Sequence, residues 1–133
     1  MSVLDKIKSY NGQISASEVD QLFLLSTSLP PNSLAVEIGC FRGKSSAAIA
    51  AGLLEGSHLV CIDPWCKQPE LITQNTADYH TAETLLVWRQ NTEPWKDKIT
   101  QIVGYPLDVA KWWNAPIDMI FIDCCKRYEE ILP

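Results

Sequence analysis

The sequence predicts an α/β protein with a three-layer, doubly wound, Rossmann-like parallel sheet. Three observations predict it: short apolar runs closed by glycine or aspartate, segments of helical spacing between those runs, and a length that suits one core. Strands that alternate with helices pair in parallel through right-handed crossovers. At 133 residues the chain holds one domain and is too short for two. Apolar residues at 47% and charged residues at 20% fit an ordinary globular chain rather than a disordered or collagen-like one.

The elements come in order. Residues 1–30 form an N-terminal helical segment. In it Ser15-Ala16-Ser17-Glu18 is a capping box, and Val19, Leu22 and Phe23 share one helical face, so a helix is predicted from Ala16 to Ser28. Pro30-Pro31-Asn32 stops it, and SLAVEIG is the first strand. Lys44 to Leu54, rich in serine and alanine, is a tightly packed helix ended by Glu55-Gly56-Ser57. HLVCIDPW is the second strand, CKQPELITQNTADYH a loop, and TAETLLVWRQN a third helix ended by Pro94. KITQIVG alternates like a strand, and PLDVAKWWN is a short helix with proline at its start. IDMIFID is predicted as a buried strand with an acid at its tip, and KRYEEIL opens a further helix.

Ligands of such sheets sit beyond the carboxyl ends of the strands, where the strand order reverses around the first strand. That edge collects Glu37 to Lys44, Asp63 to Cys66, Gly104 to Pro106, and Asp123 to Tyr128. The stretch AVEIGCFRGKSSAAIAAGLL raises the question of phosphate, because it contains Gly-Lys-Ser. A P-loop needs four residues between its glycines to wrap backbone N–H groups around phosphates, and Gly39 and Gly43 enclose three. MIFID, an apolar strand ending in an acid, keeps the P-loop alternative open. The dinucleotide fingerprint fits worse, since Phe41 and Lys44 stand where its later glycines belong.

The spacing present is Glu37-x-Gly39-x-x-x-Gly43-x-Ser45. With VEIGCFRGKSS (36–46), CIDPW (61–65) and FIDCCKRYEE (121–130), the chain resembles the class I S-adenosylmethionine-dependent methyltransferases. More narrowly it resembles a small-molecule O-methyltransferase-like branch written V-E-I-G-x-x-x-G-x-S, I-D-P-W, F-I-D-G-D-H-x-Y-E. The resemblance implies the first four strands of that fold, S-adenosylmethionine as cofactor and a small-molecule methyl acceptor.

Several residue roles are expected on this basis. A carboxylate at the tip of the second strand can accept ribose hydroxyls, and Asp63 lies 24 positions after Gly39. Gly39 and Gly43 let backbone approach the cofactor, and the helix N-terminus at Ser45 offers N–H groups to a carboxylate. A rim of Glu37, Asp63 and Asp123 would attract the sulfonium cation. The resemblance adds Glu37 near the methionine amino group and Gly104, Tyr105 and Pro106 over the adenine. Phe41 belongs to the cofactor turn, and Trp65 either stacks on the adenosine or belongs to the core.

Two departures stand out. Cys124-Cys125-Lys126 replaces the Gly-Asp-His of relatives, which leaves Asp123 as the best-placed candidate base. The family fold has seven strands, and this chain stops in the helix after the fourth. An apolar strand-four edge is then expected to be covered by a second copy, giving a homo-oligomer. A binding or assembly module without turnover is a further alternative.

Composition narrows the remaining classes. Eleven basic residues against sixteen acidic ones, with no basic stripe, argue against nucleic acid as partner. The longest apolar stretch, Ala47 to Ala51, is far short of a membrane span, and with no apolar leader the chain reads as cytoplasmic. Five cysteines without a CxxC pair predict reduced thiols, and no metal set is predicted.

Overall fold

The computed structural model describes residues 2–65 and 82–123. The chain opens with two helices, α1 (Val3–Lys8) and α2 (Ala16–Thr27). Ser2 caps α1 by accepting from the Asp5 amide at 3.0 Å. In α2 the capping box is complete: the Glu18 amide donates to Ser15 Oγ at 3.2 Å, and the Ser15 amide donates to Glu18 Oε1 at 3.0 Å. Val19, Leu22 and Ser26 form its buried face.

β1 (Leu34–Ile38), α3 (Lys44–Gly52) and β2 (His58–Asp63) come next. α4 (Ala82–Thr92) leads into a 3-10 segment at Glu93–Lys98, then β3 (Ile99–Val103), α5 (Pro106–Ala110) and β4 (Met119–Ile122). Pro94 cannot continue the α4 hydrogen-bond ladder, so the chain tightens there into the 3-10 turns. The predicted loop from Cys66 and the predicted helix from Lys126 lie outside the described residues.

The sheet is parallel with order β3-β2-β1-β4. β1 therefore has β2 on one side and β4 on the other, which puts the reversal of strand order at β1, as the sequence predicts. Alternation along β1 divides its side chains between two cores. Ala35 joins the cluster with α1, α2, α3 and Trp88 of α4. Val36 joins Val60, Ile62 and Val109 of α5 on the opposite face. Helices on both faces make three layers.

α3 is the innermost helix, with Ser45 to Ala50 and Gly52 all buried. Its small side chains permit close approach to α2: a Cβ on Gly52 would lie 2.6 Å from the Phe23 carbonyl oxygen and 2.9 Å from Ser26 Cβ.

β4 departs from the expectation of a buried strand. Ile120 and Ile122 are 49% and 52% exposed. Among the described residues β4 pairs with β1 alone.

Candidate cofactor site

The site grows from the turn between β1 and α3. Three of its residues have positive φ: Gly39 at 86°, Phe41 at 48° and Gly43 at 89°. Such a run folds the chain back on itself and points successive amides to one side, a shape that needs glycine at most of its positions. The Gly39 amide donates to the Ile62 carbonyl at 2.9 Å, which seats the turn beside the end of β2. The Gly43 amide closes onto the Cys40 carbonyl at 3.0 Å.

Asp63 shapes this turn from the tip of β2. Its Oδ2 accepts from the Cys40 amide at 2.8 Å and the Phe41 amide at 3.2 Å, and its Oδ1 accepts from the Trp65 amide at 2.6 Å. A carboxylate that accepts several backbone amides is strongly committed to them. Asp63 is only 5% exposed. These contacts are those of a turn-holding residue, whereas the sequence singles it out for a ribose.

Glu37 is turned inward. It lies on the same face of β1 as Ala35, beneath the first turn of α3, and is fully buried. The hydroxyls of Ser45 and Ser46 donate to its two carboxylate oxygens, and the Trp88 indole N–H donates to Ser46 Oγ at 3.0 Å. Burial pushes the Glu37 carboxyl up from 4.5 to about 7; the two serine hydroxyls oppose that rise, and the Asp63 charge adds to it. Ser45 is thereby committed to Glu37, away from any magnesium of the P-loop type.

The other candidates sort by depth. Trp65 is fully buried, donates its indole N–H to the Phe41 carbonyl at 3.1 Å and meets Trp88 edge-on at 5.2 Å. Of its two open readings, the core reading describes this placement. Gly43 makes its close approach to α4: a Cβ there would stand 3.0 Å from Trp88 Cδ1 and 3.2 Å from the Trp88 carbonyl oxygen. Phe41 is half-buried under the Arg42 guanidinium, 4.6 Å from the ring centroid. Gly104 donates its amide to the Asp63 carbonyl at 3.1 Å, and Tyr105 stands at the start of α5. Asp123 sits just past β4, its amide on the Ile38 carbonyl at 2.9 Å, with an exposed side chain. Of the expected acidic rim, Asp123 alone faces solvent.

The sequence did not single out the α4 residues that brace this turn. Asn91 Nδ2 donates to the Arg42 carbonyl at 2.9 Å, beside the Trp88 contact with Ser46. The signal was faint, because TAETLLVWRQN shows helical spacing and nothing of its target.

The glycine turn thus lies where strand order reverses, and α3 starts there without a side-chain cap. The family model described as a methyltransferase domain matches residues 36–133. The chain belongs to that methyltransferase-domain family. No curated protein matches it. Among solved structures, the chain is similar to cofactor-bound Rv0187 from MTB, at 23% identity and a TM-score of 0.64, over 92% of this chain and 50% of that one. It is similar to the O-methyltransferase TomG from Streptomyces achromogenes, involved in tomaymycin synthesis and solved with S-adenosylmethionine, at 22% identity and 0.65, over 93% and 54%. It is also similar to an O-methyltransferase from Bacillus cereus in complex with S-adenosylhomocysteine, at 22% identity and 0.61, over 93% and 55%. At these identities the likeness is one of fold, and the chain spans about half the length of those structures.

Proposed function

We propose that this chain binds S-adenosylmethionine and transfers its methyl group to an oxygen of a small molecule. The observation that carries the reading is the positive-φ turn at the point where strand order reverses, opening onto the N-terminus of α3. Gly43 precedes α3 without any side-chain cap, so the first amides of the helix suit a carboxylate such as that of methionine. Gly39, Phe41 and Gly43 supply the backbone surface. Glu37, Ser45 and Asp63 act through the shape of that turn, and Trp65 backs it from the core. Gly104 and Tyr105, past β3, flank the adenine side. The bound cofactor supplies an electrophilic methyl group on a sulfonium centre.

Asp123, exposed beside β1 at the same edge, is the group proposed to take the proton of the acceptor hydroxyl. Transfer of radiolabelled methyl from S-adenosylmethionine to a panel of phenols, catechols and sugars tests the reading. Transfer that Asp123→Asn lowers about a hundredfold supports it. Cofactor binding with no transfer to any acceptor would favour the binding or assembly module, for which Cys124-Cys125-Lys126 in place of Gly-Asp-His is the specific sequence feature.

A second copy of the chain is proposed to cover β4, because Ile120 and Ile122 are half exposed and, among the described residues, no strand pairs with the outer edge of β4. The free thiols of Cys40 and Cys61 suit the reducing cytoplasm, the compartment we propose. Among the described residues no helix is long and apolar enough to cross a membrane.

A further inference from the structure

Beneath the glycine turn, two thiols with no part in methyl transfer, those of Cys40 and Cys61, flank the Glu37 carboxylate. Cys61 stands opposite Glu37 in the β1–β2 register, and Cys40 opens the turn two residues after β1. All three side chains are buried, and a carboxylate oxygen and the two Sγ atoms lie within 4.8 Å of one another. We propose that Glu37, Cys40 and Cys61 form a binding site for a thiophilic divalent cation, zinc above all, that ties β1 and β2 to the turn.

The donor chemistry selects the ion. Two thiolates and a carboxylate suit zinc, cadmium or cobalt and reject magnesium and calcium, which require oxygen donors throughout. Donors around tetrahedral zinc stand roughly 3.5 Å apart, so the three side chains close on an ion through shifts of about 1 Å, within the reach of side-chain torsions, and a water carried in with the ion fills the fourth position.

An outer shell already orients the ligands. Ser45 and Ser46 hold the carboxylate, and the Trp88 indole holds Ser46. The Cys40 thiol rests against the Glu37 and Ile62 carbonyls at 3.6 and 3.5 Å, and the Cys61 thiol against Glu37 Oε1 at 3.8 Å. On binding, each S–H bond gives way to a sulfur–metal bond, and the two thiol protons, with the Glu37 proton where it is held, leave to solvent, the balance every such site requires. Enclosed by α3 and the sheet, the ion would enter as the turn closes and stabilise the folded chain. The three ligands come from two strands and a turn with no short Cys spacing, so the sequence carries no metal motif.

The test uses the full chain with Cys66, Cys124 and Cys125 replaced by serine, reduced, stripped with chelator and titrated with cobalt(II). The expected result is one ion per chain, with sulfur-to-cobalt charge transfer and tetrahedral visible absorption that zinc displaces and Cys61→Ala abolishes. A folded triple variant without that absorption, or absorption unchanged by Cys61→Ala, would overturn the proposal. Should Cys61→Ala fail to fold, cadmium NMR of the triple variant decides. A resonance of a two-sulfur site supports the proposal; a shift for fewer sulfurs, no bound cadmium, or a Cys40–Cys61 disulfide that zinc does not prevent refutes it.

Discussion

A carboxyl group raised by burial to about 7 makes stability depend on pH in a definite direction. Glu37 titrates near 4.5 in the unfolded chain, so between 4.5 and about 7 the native state keeps a proton that the unfolded state has released. The contribution is full below the unfolded value and lost as pH rises through the folded one, a change of about 3 kcal/mol over the window. In the chelator-treated chain, urea midpoints should fall between about pH 5 and 8, and Glu37→Gln should flatten that decline. An equal slope in both proteins would show that Glu37 is solvated. That Glu37, Ser45 and Asp63 meet around one turn was legible, because motif spacing marks them. Their inward direction was not, although alternation already set Glu37 on the Ala35 face, and Ser45-Ser46 opened the helix above it. A motif gives residue types and positions, while the bonds each makes depend on the depth of the helix packed over the strand.

Packing between α2 and α3 sets a test that helix propensity alone would decide the other way. Gly52 closes α3, where alanine is the better helix former, yet its Cβ would meet the Phe23 carbonyl at 2.6 Å. Gly52→Ala should cost about 1–3 kcal/mol in chemical denaturation, the scale of overpacking; a stabilised variant would show that α2 yields freely. Gly43→Ala combines a φ of 89° with a 3.0 Å approach to Trp88 Cδ1, and should lower both stability and cofactor affinity. At the start of α2, Ser15→Ala removes one partner of the capping box and should cost about 1 kcal/mol. That box was legible because it is encoded within four residues. The 3-10 segment at Glu93–Lys98 was not, since Pro94 marks the end of a helix and carries no signal for the tighter turns beyond it.

Across the whole molecule, the parallel sheet and the reversal of strand order at β1 were legible from alternating strands and helices, because right-handed crossovers leave few topologies. The depth of β4 was not legible from its apolar sequence. Burial of an edge depends on what lies beside it, and Ile120 and Ile122 remain half exposed. If a second copy covers that edge, scattering should give the mass of a dimer or larger assembly, and Ile120→Lys should shift it to the monomer; a monodisperse wild-type monomer would refute the interface. Methyl transfer by this chain stands or falls on whether the turn after β1 binds S-adenosylmethionine. Calorimetric titration of the purified chain with S-adenosylhomocysteine, beside Asp63→Ala and a magnesium-ATP control, tests that most directly. Saturable binding by the wild type is expected, weakened about tenfold or more when Asp63 no longer holds the Cys40 and Phe41 amides, with no heat from ATP. A folded chain that ignores S-adenosylhomocysteine, or binds magnesium-ATP in its place, would contradict it.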